Sequence, residues 1–310
     1  MTTYSDEWIV SRRGPRNPVD PKRPYHFLIE EERAVSGEVV SIATIFLTNR
    51  ECPWRCLMCD LWKNTLAHSV SPGDIPAQIE FALAQLGDAR QVKLYNSGSF
   101  FDAAAIPPDD YRAIADLLSG FERVIVECHP ALIGSRVLPF QRMLRGKLEV
   151  AMGLETVHPK VLPRLNKRMT LQMFSEAAEF LRKHDIDLRA FVLVKPPFLS
   201  ENEAPVWAQR SLEFAFDCNA TVVSLIPVRS GNGALEALTF SPPRLRSLES
   251  ALADGIDLGR GRVFADLWDL RTFSECNACF EPRRERLSRM NLSQSIEPPV
   301  DCAACRTIST

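Results

Sequence analysis

Six short runs rich in aliphatic and β-branched residues recur along the chain, most of them followed by a helix-patterned stretch, and this alternation narrows the fold most. The runs are residues 41–48, 92–96, 123–127, 148–153, 188–194 and 221–226. Residues 76–86, 111–118, 171–183 and 204–216 carry apolar side chains at helical spacing, with Thr170 placed to cap the third of these stretches. Strands separated by helices pair in parallel through right-handed crossovers. Six such units fit an α/β fold of the partial (βα)6 barrel kind. Parallel barrels gather their chemistry in the loops at the carboxyl ends of the strands, so those loops are where functional side chains are expected.

The first of these loops holds Cys52-Pro53-Trp54-Arg55-Cys56-Leu57-Met58-Cys59-Asp60. Three cysteines within eight residues cannot form a closed disulfide set, because one thiol is left over. Such a loop suits one inorganic object. Three thiolates on a four-iron cube leave the fourth iron open to an exogenous ligand. A zinc knuckle and three unrelated core cysteines are the other readings. After the second strand, Asn96-Ser97-Gly98-Ser99 offers a glycine and hydroxyls for close approach to a polar ligand, or forms a plain tight turn. After the third comes Glu127-Cys128-His129-Pro130, where Cys128 and His129 either line a pocket or pack in the core. Cys128 is a candidate hydrogen-atom donor. Glu155 follows the fourth strand and Lys195 the fifth; the first suits hydroxyl or amino groups, the second an anionic group. The Gly231-Asn232-Gly233 turn after the sixth is weak evidence for anything beyond a loop.

A chain of 310 residues accommodates one large domain and an appendage. Residues 1–37 have the proline, glycine and charge of an N-terminal extension, 38–240 hold the barrel, and 241–310 form a small C-terminal module. Within that module Cys276-Asn277-Ala278-Cys279 and Cys302-Ala303-Ala304-Cys305 are matched pairs suited to a tetrahedral Zn²⁺ or an auxiliary iron–sulfur cluster. Arg283, Arg284, Arg286 and Arg289, between the pairs, suit either RNA phosphates or a solvated helix face. Arg12, Arg13 and Arg16 pose the same choice near the start. A formal charge of −2 argues against a strong polyanion or membrane-surface binder. The chain has no apolar run of membrane-spanning length and starts without a signal-peptide layout. Nine cysteines grouped in tight motifs point to cofactor sites in a reducing compartment, hence a cytoplasmic protein.

The cysteine loop resembles the signature of the radical S-adenosylmethionine (SAM) superfamily. The resemblance implies that Cys52, Cys56 and Cys59 hold a [4Fe–4S] cluster, with SAM chelated by the unique iron and cleaved to a 5′-deoxyadenosyl radical that abstracts a substrate hydrogen. Met58 stands where the family usually has an aromatic residue, with its backbone beside the adenine. Asn96-Ser97-Gly98-Ser99 replaces the glycine–glycine–glutamate motif that binds the SAM amino group, so an acidic ligand is missing from that loop. Ser97-Gly98-Ser99-Phe100-Phe101-Asp102, Gly153-Leu154-Glu155-Thr156, Leu165-Asn166-Lys167 and Lys195-Pro196-Pro197-Phe198 look like the Elongator-catalytic-subunit-like branch. Within it they resemble the radical SAM subunit of archaeosine synthase. The resemblance implies tRNA as substrate, a lysine-transferring partner enzyme, a low-potential electron donor, and carbon–nitrogen bond cleavage in which Lys195, Glu155 or His129 orients polar groups. A maturase of a peptide or small metabolite, and a non-catalytic metal-bound RNA-binding protein, are the alternatives.

Overall fold

The computed structural model describes residues 4–308. A short N-terminal helix α1 (Asp6–Ser11) precedes β1 (His26–Arg33), which pairs antiparallel with β2 (Val39–Phe46). From β2 onward the sheet is parallel and runs in chain order through β3 (Gln91–Tyr95), β4 (Arg123–Glu127), β5 (Lys147–Glu155), β6 (Asp187–Val194), β7 (Val222–Pro227) and β8 (Arg262–Ala265). The eight strands curl into a partial barrel. The crossovers contain α2 (Asp74–Leu83), α3 (Tyr111–Leu117), α4 (Val137–Met143), α5 (Leu171–Lys183), α6 (Ala204–Asp217) and α7 (Leu245–Asp257). The C-terminal module adds α8 (Phe280–Ser293) and α9 (Ala303–Ile308). All six expected strands are present, and Thr170 caps α5 by accepting from the Met173 amide at 3.1 Å. No helix among the described residues is long and apolar enough to cross a membrane.

Two strands fall outside residues 38–240. β1 lies in the stretch expected to be an extension, and β8 in the C-terminal module. The reason is their inward faces. In β2 to β7 alternate residues such as Val92, Leu94, Val124, Val126, Val150, Met152, Ala190 and Val192 pack outward against the helices. The inward residues at the bottom of the barrel are charged. Arg189, 2% exposed, reaches Glu32 at 2.5 Å and Glu149 at 2.7 Å. Lys93 lies 2.8 Å from Glu32 and 3.1 Å from Glu30, and Arg123 lies 3.1 Å from Glu149. β1 supplies two of these carboxylates from the run Glu30-Glu31-Glu32, which reads as a solvated charge cluster in isolation. Removing one member of such a network strands its partners in low dielectric and costs about 3–5 kcal/mol.

The sheet has two edges, β1 and β8, and α8 packs on both. The side-chain amides of Asn291 and Gln294 take the place of a neighbouring strand. Asn291 Oδ1 accepts from the Ala265 amide at 2.9 Å while its Nδ2 donates to the Ala265 carbonyl at 2.9 Å. Gln294 does the same at Val263, at 2.7 and 2.8 Å. An exposed row of strand N–H and C=O groups is thereby closed. Arg262 Nη1 adds a bond to the Arg33 carbonyl at 2.8 Å, tying β8 to the end of β1.

Candidate active site

The cysteine loop leaves the carboxyl end of β2 and is held from outside itself. Its Leu57 amide donates to the Leu165 carbonyl at 2.8 Å, and Asn232 Nδ2 donates to the Leu57 carbonyl at 2.7 Å. Asn166, in the left-handed backbone region, donates through Nδ2 to the Arg55 carbonyl at 2.8 Å and to Asp6 Oδ1 at 2.7 Å. The fully buried Leu57 anchors an apolar roof with Ile9, Leu165, Val228 and Leu235, against which Met58 also packs. The Met58 side chain therefore belongs to the roof. The Arg12–Pro24 stretch, without helix or strand, lies across the same loop: Arg13 and Arg16 both pair with Glu51, and the Asn17 amide donates to the Lys63 carbonyl at 2.8 Å. Arg13 and Arg16 are thereby bound within the chain.

Cys52, Cys56 and Cys59 are half-buried free thiols. Burial pushes each up to about 12, so on their own they are protonated, and any metal that ligates them displaces protons. Gly98 approaches the first cysteine closely; a Cβ there would sit 3.4 Å from that of Cys52. Beside the loop, the fully buried amide of Asn96 has no hydrogen-bond partner on either Oδ1 or Nδ2, and Thr48 Oγ1 and Asn49 Oδ1 are likewise unpartnered. Buried polar groups of this kind call for a polar ligand. The residues present thus fit a cluster and a polar co-ligand at this end of the barrel.

The loop that lacks its own acid is served by the next strand. Glu127 Oε1 accepts from the Asn96 amide at 2.6 Å and from the Gly98 amide at 3.3 Å. Ser97 has φ +53° and its Oγ meets the Tyr25 hydroxyl at 3.1 Å. Strand alternation explains why Glu127 faces inward and its neighbour Cys128 does not. Cys128 is 3% exposed in the outer core, its Sγ 3.4 Å from the His129 carbonyl, so the reading of Cys128 as a hydrogen-atom donor at the mouth is set aside.

His129 is a post for the cysteine loop. Its ring stacks on Trp54 at 3.8 Å with planes 10° apart, and its amide donates to Ser99 Oγ at 2.9 Å. Nδ1 accepts from the Ala131 amide at 3.1 Å, which leaves Nε2–H to donate to the Lys167 carbonyl at 3.0 Å. Burial, with the Lys167 ammonium beside it, pushes the imidazole down to about 3, so it stays neutral at any physiological pH. Lys167 Nζ lies 2.5 Å from Glu155 Oε1 in a buried pair. Desolvation opposes the ammonium, but the charge of the Glu155 carboxylate outweighs it and raises the Lys167 pKa. Gly153 leaves the space for this pair: a Cβ there would clash with Glu155 Oε1 and with Lys167 Nζ. Lys195 is occupied elsewhere. Its ammonium lies 2.9 Å from the Ser241 carbonyl, 2.8 Å from Ser241 Oγ and 3.2 Å from Glu201, which makes it a strap on the chain leading to α7. Glu155, His129, Ser97, Gly98 and the three cysteines thus surround one mouth. Glu127, Lys167, Tyr25 and Asn232 join them; Glu127, Lys167 and Asn232 stand in stretches quoted above but were given no role of their own there, and Glu127 was findable from the inward parity of Arg123, Ile125 and Glu127.

In the C-terminal module the four thiols of Cys276, Cys279, Cys302 and Cys305 lie within 4.8 Å of one another. Cys276 and Cys302 are 4.0 Å apart, Cys279 and Cys305 3.6 Å. Four sulfurs at 2.3 Å from one tetrahedral ion stand about 3.8 Å apart, so the spacing is that of a single metal ion. Hydrogen bonds within the set lower the Cys276 thiol and raise that of Cys305, so the thiols titrate as one coupled group. The nearby arginines are paired within the chain. Arg283 pairs with Glu249 at 2.6 Å, Arg286 binds the Glu297 carbonyl at 2.7 Å, Arg289 pairs with Glu297 at 2.8 Å, and Arg284 with Glu281 at 2.9 Å. Their carboxylate partners come largely from other elements, so charge counting along α8 cannot reveal them.

The chain matches no protein-family profile. It is 31% identical over 231 residues to archaeosine synthase subunit beta of Methanosarcina acetivorans, covering 69% of this chain and 66% of that one. A protein of uncharacterised function from Methanocaldococcus jannaschii is 24% identical across 94% of this chain and 87% of its own. The fold aligns with archaeal Elp3 from Methanocaldococcus infernus at a TM-score of 0.51 and 14% identity, over 71% of this chain and 59% of that one. The chain belongs to the radical SAM superfamily. Its curled half-barrel is the radical SAM core, and the resemblance to the Elongator-like branch and to archaeosine synthase holds. Radical SAM membership implies a [4Fe–4S] cluster and SAM as cofactors.

The Glu127 carboxyl beneath the loop of residues 96–99 makes stability depend on pH. Burial pushes it up to about 7 against the pull of the Asn96 and Gly98 amides. A carboxyl raised in the folded state favours folding fully below the ordinary glutamate range, and that contribution is lost as pH rises through about 7. Glu127→Gln in the metal-free protein is expected to match wild type at pH 5 and to exceed it by up to about 3 kcal/mol at pH 8. Urea denaturation at the two pH values measures this, and a stability difference that does not change with pH contradicts it.

Proposed function

We propose that this chain is a tRNA-modifying radical SAM enzyme that cleaves the carbon–nitrogen bond of a lysine adduct, as in archaeosine formation. The observation that carries this reading is the 31% identity to archaeosine synthase subunit beta over 69% of this chain, beside three free thiols in the loop after β2. Cys52, Cys56 and Cys59 are the residues that would hold the cluster, with Asn96 and the Ser97-Gly98-Ser99 backbone next to the SAM amino acid moiety. A reduced cluster with SAM bound supplies a 5′-deoxyadenosyl radical for hydrogen abstraction. The chain's own residues shape where that happens. Glu127 holds the SAM-side loop by its amides, and the His129–Trp54 stack and the Lys167 carbonyl set the position of the cysteine loop. Glu155 and Lys167 place a paired carboxylate and ammonium at the mouth for the polar groups of substrate.

In this reading a separate enzyme attaches lysine to a 7-deazaguanine in tRNA, and a low-potential donor provides the electron. With the C-terminal arginines committed to carboxylates, tRNA capture falls to other surfaces or to the partner. Anaerobic incubation with lysine-adducted tRNA, SAM and reductant is expected to convert the adduct to an amidine, read by nucleoside mass analysis, with 5′-deoxyadenosine formed in step. An intact adduct with only uncoupled 5′-deoxyadenosine assigns the chain to another substrate.

The single-ion geometry of Cys276, Cys279, Cys302 and Cys305 supports one structural Zn²⁺, tying the chain end to α8. Elemental analysis of aerobically purified Cys52→Ala/Cys56→Ala/Cys59→Ala protein is expected to find about one zinc per chain and little iron. Iron with sulfide in that variant contradicts the zinc assignment and favours an auxiliary cluster.

A further inference from the structure

The barrel interior above the ion-paired floor is walled by rings. Phe46, Tyr95 and Phe191 are inward residues of β2, β3 and β6, and each is only half-buried. Phe46 and Tyr95 meet edge to face at 6.0 Å, Tyr95 and Phe191 at 6.0 Å, and Phe46 meets Trp268 at 6.0 Å. Tyr25 lies 5.6 Å from Phe46, and His26 5.4 Å from Trp268. The chain of rings therefore runs from the rim, at Trp268, down the wall to Phe191. It starts beside the SAM-side loop, since the Tyr25 hydroxyl meets Ser97.

Trp268 is the informative member. Its side chain is 49% exposed, yet its backbone is fixed. The Trp268 amide donates to Asp266 Oδ1 at 2.9 Å, and its carbonyl accepts from Arg229, which itself pairs with Asp266 at 2.8 Å. A large ring half exposed at the lip of an aromatic wall is a surface that suits a flat partner. Every nucleobase has a π-face that stacks on a ring.

We propose that Trp268, with Phe46 and Tyr95 behind it, stacks a purine-like base turned out of an RNA strand and so sets it next to the radical source. This rests on the tRNA reading above and adds the residues that position the base. Turning a base out costs unstacking, which stacking on protein rings offsets. Trp268 acts through placement and takes no part in bond breaking.

The test uses full-length protein reconstituted with iron and sulfide, as wild type, Trp268→Ala and Trp268→Phe. Calorimetry with 7-deazaguanosine as probe, and with ribose as a control, measures base binding without turnover. The expected result is about tenfold weaker nucleoside binding by Trp268→Ala, near-wild-type binding by Trp268→Phe, and no ring dependence for ribose. Equal nucleoside affinity in wild type and Trp268→Ala overturns the proposal, as does a wild type that binds no nucleoside. Turnover of lysine-adducted tRNA by the same proteins separates the two readings. Ring-dependent nucleoside binding alongside an untouched adduct rejects the lyase reaction and retains the base site. Adduct cleavage with the same KM in wild type and Trp268→Ala retains the lyase and rejects the base site.

Discussion

The mouth of the barrel depends on the hydrogen bonds that hold the backbone of the cysteine loop. A loop with three cysteines in eight residues has no ladder of its own to fix its shape. Leu165, Asn166 and Asn232 provide that shape by binding the backbone at Leu57 and Arg55, and the His129–Trp54 stack holds the loop from its other side. These supports come from the loops after β4, β5 and β7, so the geometry of the thiols is a property of the whole barrel. A site assembled on loops reaches useful precision only when its supporting groups are themselves locked. The residues around Leu57 meet that condition through an apolar roof that also recruits Ile9 from the N-terminal helix.

The lower barrel answers a different constraint. Side chains must fill the interior beneath the site, and this chain fills it with Arg189, Glu32, Glu149, Lys93 and Arg123 in one paired network. Such pairs cost desolvation and are poor evidence of net stability, but they define a single arrangement because each partner has few alternatives. Above them the interior changes to rings and small residues, and above those to the loops. Charge, ring and loop layers divide the interior into a floor, a wall and a rim.

The sequence made the six central strands legible because their outer faces are uniformly apolar. It hid β1, whose Glu30 and Glu32 face inward to cations supplied by β3 and β6, and β8, which has four residues and leans on side-chain amides from α8. The same limit governs the site. Spacing alone singled out Cys52, Cys56, Cys59 and the C-terminal cysteines. Spacing could not say that Cys128 faces the helices while Glu127 faces the ligand loop, although strand parity contains that information. Lys195 and the arginines of α8 carried the right charge for a ligand. Their partners, Ser241, Glu201, Glu249 and Glu297, are brought to them by the fold, and no local pattern announces them.

In the proposed function, Cys52, Cys56 and Cys59 hold a four-iron cluster whose remaining iron takes SAM. Electron paramagnetic resonance of the reduced, reconstituted protein with and without SAM tests it most directly. The expected result is a reduced-cluster signal whose g-values shift on adding SAM, because the ligand joins the cluster itself. A spectrum left unchanged by SAM, with SAM binding established separately by equilibrium dialysis, would contradict it.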